Sequence, residues 1–350
     1  MSARPKPRPR PLRVGFLPLT DAAPLVVAQV HGLFARRGIA VELRREVGWA
    51  TIREKVRLGE LDAAHAPAPM LWAMALGIGC PPTPVSTAFI LGENGNALTL
   101  ATAIGQEART PEGVREIARR RREAQPLTLA TVYSLSSHVL LIHEWARRCG
   151  LSAERDIRIA VIPPGQMYRN LVAGTIDGYA AGEPWNTLAV NAGAGWCPVW
   201  SSGLGPPQAE KVLLVTERFA ETRGEEHAAL VSGLSEAAQW CDSPASRPQL
   251  AAILSGPRYL SVPSRLVAPS LSGRFDPGHG GPVAAPDFHV FHRGGANAPS
   301  AAKASELQAA LVRGRLIPDG PDPELPGRLF REDIYAQALA AAGHAGSPRP

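Results

Sequence analysis

The chain has 350 residues, of which 45% are hydrophobic and 19% charged, and its formal net charge is +6. This length suffices for two domains with full hydrophobic cores, and the composition is that of a globular protein rather than a disordered one. No run of about 18 apolar residues occurs, so the sequence predicts no membrane span. We expect no metal or other cofactor, because no metal-ligand or disulfide spacing links the cysteines, which are Cys80, Cys149, Cys197 and Cys241.

Strands and helices are predicted to alternate along most of the chain, which indicates an α/β fold. Residues 1–11 form a Pro-rich basic leader that we expect to be disordered. Residues 12–103 then predict a first lobe and residues 104–208 a second lobe. Residues 209–350 predict a return to the first lobe followed by C-terminal helices. Within them, residues 271–297 are rich in Gly, Pro and His, and the sequence predicts no role for them.

An internal sequence repeat supports the division into two lobes. The segment VRLGELDAAH at residues 56–65 is repeated in outline by LVAGTIDGYA at residues 171–180. The spacing of 115 residues (174 − 59 and 177 − 62) relates two pairs of residues, Gly59 with Gly174 and Asp62 with Asp177. Two similar α/β lobes predict a cleft between them, and such a cleft is where a small ligand would bind.

Each lobe has a polar turn where a predicted strand leads into a helix. The turns are Thr-Asp-Ala at residues 20–22 and Ser-Ser-His at residues 136–138. Unpaired backbone N–H groups at a helix start, together with the helix dipole, favour anions. The same side chains are also ordinary N-cap residues. The turns alone leave both interpretations open.

The positive charge is partly concentrated in two places. One is the basic leader, and the other is a run of four arginines at residues 119–122 on a predicted exposed helix. No aromatic residues interleave this run and no nucleic-acid motif surrounds it. A solvated helix face is therefore favoured, and we expect no direct contact with nucleic acid.

The start of the chain bears on localisation. The segment from Val14 to Asp21 predicts a short strand interrupted by Pro18 rather than the apolar region and small-residue cleavage site of a secretory signal. The sequence thus predicts a cytoplasmic protein. A true start codon further upstream would restore a signal peptide and place the protein in the periplasm.

Several motifs occur in order between about residues 12 and 240 and carry a family resemblance. They lie at residues 15–28, 49–55, 59–65, 94–97, 182–186 and 210–213. Together they resemble the nitrate/bicarbonate-binding proteins, which are the solute receptors of cyanobacterial-type ABC importers. The resemblance implies a two-lobed periplasmic-binding-protein fold of type II, with an anion bound in the cleft between the lobes. It fades in the C-terminal third.

The resemblance implies five ligand contacts. Lys211 would supply a charge-assisted bond to an oxyanion, and His138 would donate from a ring nitrogen. Gly182 lets its backbone N–H approach a ligand without a Cβ in the way. Asn96 offers an amide where the family often has Gln, and Trp49 offers an indole N–H or a flat apolar wall. Each also has a structural explanation, as a surface lysine, a helix start, a helix cap or a core tryptophan.

The residue at position 211 also bears on the ligand. Bicarbonate receptors of this family tend to carry an acidic residue there and to recruit calcium. Lys211 would balance an anion directly, so the resemblance favours nitrate or nitrite and requires no metal. For two neighbours of these motifs, His65 and Glu183, we expect structural roles in which they bond the backbone of adjacent turns.

One branch of the family lacks a signal peptide, as we expect for this sequence, and resembles this chain in that respect. Its members are cytoplasmic nitrate/nitrite sensors of nitrate assimilation, which partner an RNA-binding antiterminator instead of a permease. The sequence therefore predicts a cytoplasmic nitrate sensor with an antiterminator-type partner. The alternative is the nitrate or bicarbonate receptor of an ABC permease. An enzyme on the same fold is the third hypothesis, and the sequence disfavours it because no activated nucleophile or pair of carboxylates faces the predicted cleft.

Overall fold

A computed structural model describes residues 10–121, 125–205 and 208–345. Residues 1–9 of the predicted basic leader and Arg122 of the arginine run lie outside the described residues. Arg10 is held in place by Asp62, because its guanidinium nitrogens lie 2.7 Å from both carboxylate oxygens. Within the described ranges, no helix has the length and apolar character that crossing a membrane requires.

The strands carry mostly buried side chains, as expected for sheets covered by helices on both faces. In chain order they are β1 Leu12–Phe16, β2 Val41–Arg45, β3 Ala63–Pro67, β4 Val85–Ser86, β5 Ile90–Asn94, β6 Asn96–Ala101, β7 Leu127–Thr131, β8 Ile157–Val161, β9 Gly178–Gly182, β10 Gly195–Trp200, β11 Ala209–Thr216, β12 Arg274–Phe275, β13 Val283–Ala284 and β14 His289–Val290.

The helices alternate with these strands and dominate the C-terminal third. They are α1 Ala23–Val30, α2 Leu33–Arg36, α3 Trp49–Arg57, α4 Met70–Leu76, α5 Pro111–Arg121, α6 Ser137–Arg148, α7 Ala153–Asp156, α8 Met167–Val172, α9 Trp185–Asn191, α10 Glu217–Thr222, α11 Gly224–Asp242, α12 Arg247–Leu254, α13 Ser264–Leu271, α14 Ala301–Arg313, α15 Leu325–Leu329 and α16 Glu332–Ala345. Short 3₁₀ turns lie between them, including Thr20–Ala22 between the first strand and α1.

The strands form two main sheets, one for each lobe. The first has the order β14-β5-β11-β3-β1-β2, with β4 also pairing with β11, and the second has the order β10-β6-β9-β7-β8. In the first sheet β1 runs parallel to β2 and β3, whereas β11 is antiparallel to β3 and β5. In the second sheet β7 runs parallel to β8 and β9, and β6 is antiparallel to β9 and β10. The fold is therefore α/β and two-lobed.

The chain passes from the first sheet to the second at Gly95, between β5 and β6. The sequence places the first lobe boundary at residue 103, but β6 already belongs to the second sheet because it pairs with β9 and β10. Asn94 and Gly95 both have positive φ, 62° and 94°, which turns the chain sharply at this point. The return passage lies between β10 and β11, near the predicted boundary at residue 208.

Residues 271–297, for which the sequence predicts no role, add one edge strand to the first sheet and form a separate two-stranded sheet. The strands β12 and β13 form a small hairpin, and β14 then pairs with β5 as an edge strand. The rings of Phe275 and Phe288 stack with their centroids 4.6 Å apart. The ring of His289 stacks on Phe291 with an interplanar angle of 7°.

The repeated sequence segment forms the same hydrogen bond in both lobes. The carboxylate of Asp62 accepts the backbone N–H of Arg13 at 2.8 Å, and that of Asp177 accepts the N–H of Thr128 at 2.8 Å. The two donors lie 115 residues apart (128 − 13 = 115), which is also the spacing of the two aspartates. In both lobes the aspartate therefore ties the strand after the helix to the start of the first strand. The glycine three residues earlier has a left-handed φ in each case, 74° at Gly59 and 69° at Gly174.

Candidate functional site

A cluster of buried charged side chains lies where the two lobes meet. Three of its members belong to strands of the first lobe: His65 on β3, and Glu210 and Lys211 on β11. Asp21 follows β1 in the 3₁₀ turn, and His138 enters from the first turn of α6 in the second lobe. Each is at most 3% exposed. Burial of this many charged groups is costly unless they pair with one another or with a ligand.

Lys211 lies at the centre of the cluster. Its register on β11, opposite Pro67 and Gly92, places it in the middle of the first sheet. Its Nζ lies 2.8 Å from Asp21 Oδ2 and 2.7 Å from Glu210 Oε1. The surface-lysine explanation is therefore wrong. Two carboxylates already face its ammonium group, so an anion would not meet Lys211 as an isolated positive charge.

The charge state of these three groups follows from their proximity. Burial disfavours the charged form of each, but the opposite charges outweigh it. Asp21 and Glu210 raise the pKa of Lys211, while Lys211 and His65 hold the pKa of Asp21 well below its usual range. The pKa of Glu210 is lowered as well, by Lys211 and His138. At neutral pH the three groups thus carry one positive and two negative charges.

His65 belongs to the cluster rather than to a neighbouring turn. Its Nε2 lies 2.9 Å from Asp21 Oδ1, so its partner is a side chain and the backbone role predicted for it is wrong. Burial lowers its pKa, which leaves the ring uncharged at neutral pH. The ring also meets Trp49 edge to face, with centroids 5.1 Å apart. His65 thereby fixes both the carboxylate of Asp21 and the indole.

His138 is the member contributed by the second lobe. Both of its ring nitrogens are buried and lack a hydrogen-bond partner among the described residues. Burial lowers its pKa to about 4, and the charges that it feels come from Glu210, Lys211 and Asp21. A neutral ring with two unpaired nitrogens in a buried site can donate to one ligand and accept from another.

The other predicted contacts lie around the same point. Trp49 begins α3, and Lys211 Nζ is 5.8 Å from the centroid of its ring. Asn96 and Gly182 are cross-strand neighbours on β6 and β9. A Cβ placed on Gly182 would lie 3.3 Å from Asp21 Oδ2 and 3.4 Å from Asn96 Oδ1. All five residues that the resemblance implies are therefore brought together, with Asp21 between them.

Several buried polar atoms around this cluster have no hydrogen-bond partner within the described part of the chain. They come from both lobes: Thr20 Oγ1, Trp49 Nε1, Asn96 Oδ1 and the His138 ring. Buried polar groups are rarely left unpaired, and a group of them in one place is typical of a ligand site. Neither polar turn uses a described side chain to cap the helix that follows it. The N-cap interpretation of these turns is therefore not supported.

The lobes are in contact around the cluster. The backbone N–H of Thr20 donates to the carbonyl of Glu183 across the lobes at 2.8 Å. Arg53 of α3 donates to the hydroxyl of Tyr133 in the second lobe at 3.2 Å. Glu183 also accepts the backbone N–H of Thr187 at 3.2 Å, which agrees with the structural role predicted for it. These contacts hold the site in a closed arrangement.

A cavity of about 440 Å³ adjoins the cluster. Asn96 and Ser137 from the second lobe and Glu210 from the first line its inner part, and the exposed Arg147 and Arg313 also line it. A small ligand therefore has a route between the surface and the buried cluster. Among the described residues, no group of three His, Cys, Asp or Glu side chains is arranged to hold a metal ion.

Two functional candidates, Asp21 and Glu210, are missed by the sequence reasoning. Asp21 occurs in the polar turn that the sequence identifies, but only as a possible N-cap. Glu210 directly precedes Lys211 in one of the quoted motifs. The signal that could have identified both is a lysine predicted on a central strand, since a buried lysine needs carboxylate partners.

Comparison with known proteins shows the family. Residues 5–255 match the model of the NMT1-like family. Over 341 residues the chain is 35% identical to the bicarbonate transport ATP-binding protein CmpC of Synechococcus elongatus, covering 95% of this chain and 50% of that protein. The chain thus spans about half the length of this relative. It is also 28% identical over 351 residues to the nitrate/nitrite binding protein NrtA of Synechococcus elongatus, covering 96% of this chain and 79% of NrtA.

The structural comparison agrees with the sequence comparison. The crystal structure of the periplasmic nitrate-binding protein NrtA from Synechocystis PCC 6803 superimposes with a TM-score of 0.89 at 24% identity, covering 94% of this chain and 88% of that chain. The alkanesulfonate-binding protein SsuA from Xanthomonas axonopodis shares the fold with a TM-score of 0.66. The predicted α/β periplasmic-binding-protein fold and the resemblance to nitrate/bicarbonate-binding proteins are confirmed, and the chain belongs to the NMT1-like family.

Proposed function

We propose that this chain binds a small planar oxyanion of the nitrate and nitrite class between its lobes. In this proposal it acts as the substrate-binding component of an ABC importer and catalyses no reaction. The observation that carries the proposal is that buried polar atoms of both lobes, without a partner among the described residues, surround Lys211. Relatives named for nitrate/nitrite and for bicarbonate binding support the anion class and the importer, but they do not separate the two ligands.

The choice of nitrate or nitrite rests on the chemistry of the cluster. Nitrate oxygens only accept hydrogen bonds, and Trp49 Nε1 and a ring nitrogen of His138 can each donate. The flat indole of Trp49 suits a planar anion. A lysine at position 211, where the resemblance implies an acidic residue for bicarbonate receptors, supports binding without calcium.

Calorimetric titration with nitrate, nitrite and bicarbonate, each with and without calcium, tests the ligand. We expect about one nitrate or nitrite per chain without added divalent metal. Binding of bicarbonate alone, and only with calcium, would overturn the choice of ligand.

The position of the site is tested with a matched pair of histidine variants. His138 and His227 are both buried, and burial lowers the pKa of each to about 4. His227 packs against Phe219 in the first lobe, away from the cluster. We expect His138→Asn to lose nitrate binding and His227→Asn to keep it. Equal affinities in the two variants would place the anion elsewhere.

The partner and the compartment distinguish the importer from the sensor. The importer proposal implies an ABC permease and ATPase as partners and a periplasmic location. The cytoplasmic nitrate sensor with an antiterminator-type partner stays a prediction of the sequence. Cell fractionation, combined with a pull-down of the native protein with and without nitrate, separates them. A nitrate-dependent regulatory partner in the cytosol would favour the sensor over the importer.

A further inference from the structure

The charges around Lys211 do not favour an added anion. Lys211 carries one positive charge, while Asp21 and Glu210 carry two negative charges, and the pKa shifts of all three keep them charged. The histidines that face them, His65 and His138, both have lowered pKa values and are uncharged at neutral pH. The cluster therefore has a net charge of −1 before any ligand binds (1 − 2 = −1).

A monovalent anion would bring this buried cluster to −2. An uncompensated charge in a buried site costs several kcal/mol, because protein dipoles replace the lost hydration only in part. One proton taken up together with the anion would leave the net charge unchanged. The site therefore needs a group that can accept a proton when the anion arrives.

His138 is the group best placed to accept it. Both of its ring nitrogens lack a hydrogen-bond partner among the described residues, whereas Nε2 of His65 lies 2.9 Å from Asp21 Oδ1. Glu210 contributes the strongest charge interaction on His138. A protonated ring could donate from one nitrogen to the anion and from the other to Glu210. The positive end of the α6 dipole opposes a charge on this ring, and two flanking anions would offset that effect.

The charged groups that act on the ring come from the first lobe and are Glu210, Lys211 and Asp21. In the second lobe α6 packs against β6, β7, β9 and α7. The buried Glu183 follows β9, and burial raises its pKa to about 7. Two further histidines of the first lobe, His65 and His289, interact with Asp21 and Lys211. Burial lowers the pKa of His289 to about 3, so it too is uncharged at neutral pH and leaves the balance of charges unchanged.

We infer that the site takes up one proton with each anion, held on His138 between the anion and Glu210. This inference rests on the proposed function. Glu210 is then a residue that determines specificity, because it sets the charge that the site can accept. A monovalent oxyanion requires one proton, whereas a divalent one such as sulfate would require two. The same proton links β11 of the first lobe to α6 of the second and stabilises the closed arrangement.

The proton count of the wild-type protein tests the inference directly. Nitrate is titrated calorimetrically in two amine buffers of different ionisation enthalpy, from about pH 6 to about pH 9. We expect uptake of about one proton per nitrate and a loss of affinity of about tenfold for each pH unit. Sulfate should not compete with nitrate in this range. Nitrate binding with no proton uptake and a flat pH profile would overturn the inference and leave the proposed function intact.

Two carboxylate variants assign the effect to Glu210. In Glu210→Gln the cluster is neutral, so nitrate should bind without proton uptake and, at about pH 8, at least about tenfold more tightly than to wild type. The control is Glu46→Gln, which removes a buried carboxylate of the same lobe that pairs with Lys55 at 2.9 Å. Its proton count should equal that of wild type. No nitrate binding by wild type at any pH would overturn the proposed function itself.

Discussion

Replacing Lys211 with methionine isolates the contribution of its charge. Methionine has nearly the same length and fits an apolar environment, so the change removes the ammonium group with little change in packing. It leaves Asp21 and Glu210 as two carboxylates, at most 3% exposed, without their cation.

The structure sets the size of the effect. Lys211 Nζ lies 2.8 Å from Asp21 Oδ2 and 2.7 Å from Glu210 Oε1. At an effective dielectric constant of about 20, each contact corresponds to about 6 kcal/mol of Coulomb energy. Loss of the burial penalty of the lysine offsets much of this, and removal of one partner from a buried ion pair costs about 3–5 kcal/mol. We expect Lys211→Met to lower the free energy of unfolding by that amount at neutral pH.

The sign of the pH dependence provides a second criterion. In wild type the lowered pKa of Asp21 contributes stability above its unfolded value that is lost only as pH falls. In the variant, burial without Lys211 would raise the pKa of both carboxylates, so they would become neutral on acidification. The difference from wild type should therefore shrink between about pH 8 and about pH 5.

Urea denaturation of wild type, Lys211→Met and the triple variant with Asp21→Asn and Glu210→Gln measures these effects. The triple variant removes the charged carboxylates as well, and we expect it to recover most of the lost stability. A loss below about 1 kcal/mol for Lys211→Met, independent of pH, would refute the idea of a buried ion triad.

Three further predictions concern residues beside the cluster or in the scaffold. Burial raises the pKa of Glu183 to about 7, so the stability linked to its protonated form is lost as pH rises from about 4.5 to about 7. Glu183→Gln should remove this loss, which amounts to up to about 3 kcal/mol in urea denaturation at about pH 8. Gly95→Ala would put a Cβ 2.6 Å from the ring of His289 at a φ of 94°, so its melting temperature should fall further than that of Gly38→Ala, which has a similar φ of 74° but open space. Asp177→Ala removes the acceptor of the N–H at the start of β7 and should cost about 2–3 kcal/mol by chemical denaturation.

Much of the fold is predictable because the chain repeats its own pattern. The aspartates at positions 62 and 177 and the left-handed glycines before them recur at one spacing, and each closes the same strand–helix–strand connection. The passage between sheets is less predictable. Gly95 lies in a polar turn, Glu-Asn-Gly-Asn at residues 93–96, between two mostly apolar strands. The sequence predicts the turn, but only the pairing partners of β6 show that the sheet has changed.

The site, like the fold, is predictable from the sequence only in part. Motifs in order along the chain bring the five residues implied by the resemblance to one place, even though His138 and Lys211 lie on different lobes. Sequence spacing does not reveal that Lys211 is enclosed by Asp21 and Glu210, because that arrangement depends on the pairing of β11 with β3 and β5. The charge balance of the site follows from these contacts and could not be read from residue types alone.

A crystal structure of the protein grown with saturating nitrate tests the central claim most directly. The proposed function predicts one nitrate between the lobes, within hydrogen-bond distance of Trp49 Nε1, Lys211 Nζ and a ring nitrogen of His138. Nitrate bound only elsewhere, with these three side chains in contact with one another or with water alone, would contradict it.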